Sequence, residues 1–271
     1  LAVRSILFNI AFYLNIIVWM IGCTPMLLLP RRWAIGCVHG WARCSTWLLE
    51  VIGGVRVEVR GGLPRRGMPL LVAAKHQSVF ETFALLPYFS DPAFILKREL
   101  TWIPLFGWWC RKMRMIPVDR GRGATALKDM ARRAHAEAAR GRQIVIFPEG
   151  TRRPPGAPPQ YKQGVSLLYA TMQVPCLPVA LNSGLFWPRR KWQRYPGTIL
   201  VEFLEPIPPG LDREAFRERL ETAIETASDR LLGEAAAAPN PPPIPDEARA
   251  RLEGMVAAAT PTTPPPRRQA G

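Results

Sequence analysis

Between residues 55 and 203, short apolar runs of strand length alternate with longer amphipathic stretches, a pattern that limits the chain to folds in which helices cover a largely parallel sheet. The runs are VRVEV at 55–59, LLVAA at 70–74, AFILK at 93–97, MRMIPV at 113–118, QIVIF at 143–147, PCLPVAL at 175–181 and TILVEF at 198–203. Helices are expected over 79–89, 124–140, 164–172 and 212–232. Gly141 stands where it would close the second of these, and Phe216, Leu220, Ile224, Ala227 and Leu231 form one apolar stripe along the last. The fold class expected is α/β, a mixed and mostly parallel sheet of about seven strands flanked by helices, with a membrane-associated helical pair before it.

That pair comes from the first 52 residues. Ser5 to Leu29 is nearly uncharged, with Arg4 on one side and Arg31 and Arg32 on the other. Its roughly 25 residues reach about 37 Å as a helix, enough to cross a hydrocarbon core, although Asn9, Asn15 and Pro25 leave an immersed helix open. Residues 33–52 carry Trp33, Trp41 and Trp47 and read as a second helix along the interface, or equally as an ordinary buried one. At the other end, Ala and Pro dominate from Glu234 onward, a composition expected to stay largely disordered. The expected division is therefore 1–52, 53–233 and 234–271.

A formal net charge of +15 draws the chain to polyanions, either nucleic acid or an anionic membrane surface. Nine tryptophans favour the membrane, and no nucleic-acid-binding motif is present. TWIPLFGWWCRKMR at 101–114 and FWPRRKWQRYPG at 186–197 interleave aromatic and basic residues in the manner of headgroup-facing surfaces. Five scattered cysteines form no metal-binding or disulfide framework, which suits a reducing, cytoplasmic setting.

Two short segments concentrate the chemistry. In KHQSVFET, His76 falls on the turn between a buried strand and a helix, from which its ring can fold back toward Glu81. On a continuous helix, residues five apart would face away from each other. Such a carboxylate would hold Nδ1 of His76 and leave Nε2 free to accept a hydroxyl proton. On the residues alone the first reading is different: Ser78-Val79-Phe80-Glu81 is an S-x-x-E capping box, in which Glu81 serves the helix start. Both roles are compatible, because a carboxylate has two oxygens. The second segment, FPEGTR at 147–152, is a strand-ending turn made easy by Gly150, able to offer an anion backbone amides, the Thr151 hydroxyl and the Arg152 fork.

Taken in order, these segments resemble the paired signatures of the glycerolipid acyltransferase family: a His, four intervening residues and an acid, then F-P-E-G-T-R. FILKREL at 94–100 and VPCLPVAL at 174–181 match further family blocks, so that the resemblance covers roughly residues 60–205. It implies His76 as general base with Glu81 as its partner, where the family most often has Asp. It also implies that Glu149, Gly150, Thr151 and Arg152 bind a lipid phosphate, that Lys97 and Arg98 lie beside that phosphate or the thioester carbonyl, with Lys97 the oxyanion candidate, and that Lys162 of YKQG adds positive charge. Each of these lysines and Arg98 reads equally well as an ordinary end-of-element charge. The implied reaction is acyl transfer from acyl-CoA or acyl carrier protein to the sn-2 hydroxyl of 1-acylglycerol 3-phosphate, giving phosphatidic acid, with no metal or prosthetic group. The implied place is the cytoplasmic face of the inner membrane. Another lysophospholipid or lyso-aminolipid as acceptor, or a lipid-binding protein without activity, stays open at this point.

Overall fold

The computed structural model describes residues 1–259, and in it all seven expected strands join one sheet. In chain order the elements are α1 (Ala2–Gly22), α2 (Arg31–Leu48), β1 (Val55–Gly61), β2 (Leu70–Ala74), α3 (Glu81–Ala84), β3 (Pro92–Lys97), α4 (Phe106–Lys112), β4 (Ile116–Val118), α5 (Gly123–Ala138), β5 (Gln143–Ile146), α6 (Gln163–Met172), β6 (Cys176–Leu181), α7 (Ser183–Phe186), β7 (Gly197–Phe203), α8 (Arg213–Ala236) and α9 (Asp246–Ala259). The strand order is β1-β7-β6-β2-β5-β3-β4, and every neighbouring pair is parallel except β6 with β7. This is the mixed, mostly parallel α/β sheet read from the alternation of segments.

Every residue of β2 is buried, as a central strand covered on both faces requires. Its side chains divide by the two-residue period. Leu70, Val72 and Ala74 enter the apolar cluster that also contains Phe8, Phe12, Phe80 and Phe83, whereas Leu71 and Ala73 enter the one built from α5, α6 and α8. The stripe of α8 meets the sheet as expected, with Phe216, Leu220, Ile224 and Leu231 fully buried. Asp212 caps that helix, its side chain accepting from the amides of Glu214 and Ala215 at 2.9 Å.

Three local expectations are corrected. The helix predicted over 79–89 is only α3 followed by a 3-10 turn at Leu86–Tyr88, because Pro87 lacks the donor a continuing helix needs. The strand predicted over 113–118 keeps only its last three residues. Met113 instead ends α4 and is buried beside Ala34 and Trp109, and Arg114 turns the chain at φ 51°. The tail read as disordered from 234 carries α8 on to Ala236 and then forms α9, whose Ala248 is fully buried and whose Leu252 packs on the core. Composition predicted poorly there because a few well-placed apolar residues suffice to seat a helix on an existing surface. Residues 260–271 of that tail lie outside the described residues.

α1 is 21 residues long and contains an 18-residue stretch of mean hydropathy 1.8, long and apolar enough to cross a membrane. It is nevertheless attached to α2 and to the sheet domain between Arg4 and Asn15. Phe8 and Phe12 are buried in the core, the Arg4 Nε donates to the Ile52 carbonyl at 2.9 Å, Asn9 donates to the Trp192 carbonyl at 2.7 Å, and Asn15 donates to the Ser45 hydroxyl at 2.9 Å. The two asparagines that interrupt its apolar sequence are therefore docking groups. The opposite stripe, with Val3, Ile6, Leu7, Ile10, Leu14 and Ile17, is exposed.

Candidate active site

Four strands of the central sheet deliver the site. β2, β3, β5 and β6 run parallel, and the residues just past their carboxyl ends meet in one region, the usual place for a site in such a sheet. Past β2 lie Lys75 and His76, past β5 the FPEGTR turn, past β6 Ser183, and at the end of β3 Lys97.

His76 Nδ1 is 2.8 Å from Glu81 Oε1. The same oxygen accepts the backbone amides of Gln77 and Ser78, each at 2.6 Å. A carboxylate oxygen surrounded by three donors requires Nδ1 to carry its proton, so the tautomer is set and Nε2 is the basic nitrogen. The capping role and the histidine contact thus coexist, but on one oxygen. Glu81 Oε2 is occupied separately, accepting from the Ser183 hydroxyl at 2.8 Å across 102 residues of sequence. Glu81 is fully buried, whereas the His76 side chain keeps 13% of its surface exposed. Phe147, the first residue of FPEGTR, stacks on the His76 ring at 4.0 Å and 13° and limits its rotation. The turn is also tied to the histidine backbone, the Arg153 amide donating to the His76 carbonyl at 2.8 Å.

Gly150 has φ 68°, the left-handed conformation that lets the turn close with its amide on the Phe147 carbonyl at 2.9 Å. Glu149 points inward and is 2% exposed. Its Oε1 meets the Lys75 ammonium at 3.2 Å, and Lys75 in turn meets Glu225 of α8 at 2.7 Å. The Tyr161 hydroxyl donates to the same Glu225 at 2.9 Å. Burial raises the Glu149 carboxyl above its ordinary range, with the Lys75 charge opposing. Glu149 thus holds the turn from beneath through Lys75, and it also borders the large cavity of this region.

A cavity of about 1050 Å³ opens over this region. Its polar end is bordered by His76, Lys97, Lys162 and the turn residues Glu149, Gly150, Thr151 and Arg152, so these expected residues are brought together. Arg98 is not among them. Successive residues at the end of β3 diverge, and its guanidinium binds Asp119 at 2.9 Å and lies over Trp102. Three bordering or supporting residues were not predicted: Arg120 and Arg189 at the cavity and Ser183 behind Glu81. No short motif marks them, since each reaches the site only through the fold. The rest of the wall is apolar and draws Ile16 and Trp19 from α1, Val38 and Trp41 from α2, and Phe83 and Phe94 from the sheet domain. Such a lining suits a hydrocarbon chain.

The two aromatic-basic segments divide between surface and core. Trp102, Ile103, Trp108 and Trp192 are exposed, but Trp109, Phe186 and Trp187 are buried, and Arg194 is 6% exposed with its guanidinium 4.4 Å over the Trp187 ring.

The sequence pattern of the family described as Acyltransferase matches residues 55–182, which include every expected site residue. The chain is 34% identical over 245 residues to the 1-acyl-sn-glycerol-3-phosphate acyltransferase of Pseudomonas aeruginosa, covering 89% of this chain and 93% of that one. It is 30% identical over 164 residues to the alpha form from Homo sapiens, which covers 59% of this chain and 58% of the human one. The fold matches the crystal structure of the 1-acyl-sn-glycerophosphate acyltransferase PlsC from Thermotoga maritima with a TM-score of 0.72 at 23% identity, over 85% of this chain and 97% of that one. With similarity running through nearly the whole length of the bacterial relative, the chain belongs to the acyltransferase family that contains the 1-acyl-sn-glycerol-3-phosphate acyltransferases.

Proposed function

We propose that this chain transfers a fatty acyl group from an acyl thioester to the sn-2 hydroxyl of 1-acylglycerol 3-phosphate, giving phosphatidic acid. The observation that carries the reading is the His76–Glu81 pair at 2.8 Å on the border of a cavity shared with Arg152. In the proposed step, Nε2 of His76 takes the proton of the acceptor hydroxyl as its oxygen attacks the thioester carbonyl. The imidazolium so formed is stabilised by the Glu81 carboxylate. Positive charge from Lys97 faces the developing oxyanion, and collapse breaks the C–S bond as the imidazolium returns its proton to the departing thiolate. No acyl-enzyme is needed. Arg152, Thr151 and Lys162 hold the acceptor phosphate, and the apolar wall takes an acyl chain.

The donor, acyl-CoA or acyl carrier protein, is met at the cytoplasmic face of the inner membrane, a placement supported by five unpaired cysteines. α1 is fixed to the sheet domain by Phe8 and Phe12 against Trp187 and by the bond from Asn9 to the Trp192 carbonyl, so inserting it upright would pull the sheet domain into the bilayer. Its exposed stripe instead suits immersion in one leaflet, parallel to the surface. Two walls of the cavity come from α1 and α2, which would let lipid chains enter from that leaflet.

Transfer of labelled acyl groups from acyl-CoA and from acyl carrier protein to a panel of lysolipids tests the reading. The expected result is a preference for 1-acylglycerol 3-phosphate and a loss of turnover of about 10²–10⁴-fold in His76→Ala, with vesicle binding intact. Equal turnover in that variant would exclude the assigned role of His76.

A further inference from the structure

Arg152 shares its end of the cavity with a second guanidinium. Arg189 lies 37 residues further along, borders the same cavity, and donates through Nη1 to the Arg152 carbonyl at 2.8 Å. The loop that carries it is held on both sides. Before it, Trp187 is buried between Phe8 and Phe12, and its amide donates to the Ser183 carbonyl at 2.8 Å. After it, the Arg194 guanidinium covers the Trp187 ring and donates to the carbonyls of Lys191 and Gln193 and to Asn9 Oδ1. Between these anchors Arg190 adopts φ 61°, an unfavourable conformation for a residue with a Cβ. That turn leaves Arg190 exposed and Arg189 half-buried at the cavity.

Two half-buried guanidiniums side by side repel each other. Burial lowers the pKa of Arg152, the charges of Arg189 and Arg190 lower it further, and only Glu81 opposes them. Among the described residues no carboxylate is ion-paired with either guanidinium, although most other buried cations of this fold, such as Lys75 and Arg142, have acid partners. Two neighbouring cations without an ion-paired acid favour a ligand that brings two negative charges.

We propose that Arg189 is a specificity-determining residue: together with Arg152 it grips the acceptor phosphate, and its charge selects a terminal phosphate monoester over a phosphodiester headgroup. A monoester carries close to two negative charges near neutral pH and three strong acceptor oxygens, whereas a phosphodiester carries one charge. The inference rests on the acceptor reading given above, and goes beyond it by assigning the discrimination to one side chain.

The test uses the full chain, its Arg189→Gln and Arg189→Lys variants, and two acceptors, 1-acylglycerol 3-phosphate and 1-acylglycerophosphocholine, the second also measured as a competitor of the first. Arg189→Gln should raise KM for the monoester by about tenfold to a hundredfold, change kcat less, and leave the phosphodiester constant nearly as it was. Arg189→Lys should recover part of the selectivity. In the unmodified chain KM for the monoester should fall as pH rises through the second phosphate ionisation near 6, and Arg189→Gln should flatten that dependence. A merely structural role would shift both acceptors together and leave the pH profile unchanged, and that result overturns the proposal. If Arg189→Gln does not fold, Arg189→Met, which removes the charge and keeps an unbranched stem, takes its place, and selectivity equal to the unmodified chain in that variant overturns the proposal as well. Absence of any transfer to the monoester by the unmodified chain would instead remove the acceptor reading, and this inference with it.

Discussion

Glu81 holds four groups at once, and the least expected of them is the most informative. The amides of Gln77 and Ser78 and the ring of His76 would be satisfied by a carboxylate with one oxygen in place, but the Ser183 hydroxyl at 2.8 Å fixes the second oxygen and hence the plane of the group. Ser183→Ala should therefore leave the acceptor KM unchanged and lower kcat by about tenfold, with a stability loss of about 1–2 kcal/mol from the broken bond to a buried acid. Steady-state kinetics beside a thermal melt checks both parts; unchanged kcat would mean that the backbone amides orient Glu81 unaided. At this scale the sequence spoke wherever the contacts are local. His76 with Glu81, and the turn at 147–152, are each one short motif. Ser183, Glu225 and Arg189 come from far along the chain to bond Glu81, Lys75 and Arg152, and no short motif contains such neighbours. Glu149 and Arg98, both assigned to the phosphate through the family resemblance, show how adjacent motif residues diverge: Glu149 borders the cavity, and Arg98 does not. One points inward to Lys75 and the other outward to Asp119.

Among the elements, α1 has two faces with different solvents. Its docked face is fastened by Phe8 and Phe12, each contributing about 1.5–3 kcal/mol through burial, and by polar bonds from Asn9 and Asn15. Its outer face repeats exposed apolar residues at helical spacing, including Ile10 at 54% and Ile17 at 50% exposure. Charging that outer face should act on the membrane and spare the fold. Ile10→Asp with Ile17→Asp is expected to weaken sedimentation with anionic vesicles by more than about tenfold while the melting temperature stays within a degree or two, since both side chains lie on the exposed face. A melting temperature that falls sharply would instead show the stripe to be part of the core. Periodicity found α5, α6 and α8 because each sets an apolar stripe against polar residues. It missed α4, where Trp, Phe, Cys and Gly are mixed with no clean stripe, and α9, where Ala is mixed with charged residues after a Pro-rich run. The sheet was legible through its short apolar runs, but its order and the single antiparallel junction of β6 with β7 are set by long-range pairing.

Across the whole molecule, the C-terminal helix reaches back to the turn that carries Arg152. Ala248 of α9 lies against Gly156, and Arg251 of α9 is paired with Asp229 of α8. Gly156 belongs to the loop that follows FPEGTR. Its neighbour Pro155 is buried against Gly184, which is itself bonded to the Gln77 side chain at 3.0 Å and adjoins Ser183. A continuous line of contacts therefore runs from α9 through the loop to the residues that hold Glu81. Gly156 is the point where this line has no slack: its φ is 78°, and a Cβ there would lie 2.4 Å from the Ala248 Cα and 2.7 Å from the Glu247 carbonyl oxygen. Backbone of α9 cannot rotate aside as a flexible side chain would, so Gly156→Ala must displace either the helix or the loop. We expect a stability loss of about 1–3 kcal/mol, seen as a fall of roughly 2–10 °C in melting temperature. Amide exchange should quicken through residues 246–257, and KM for the acceptor should rise by up to about tenfold as Arg152 loses its fixed position. Faster exchange in α9 with unchanged kinetics would limit the helix to a cover for the sheet, whereas the combined change would make the chain's last described helix a support for phosphate binding.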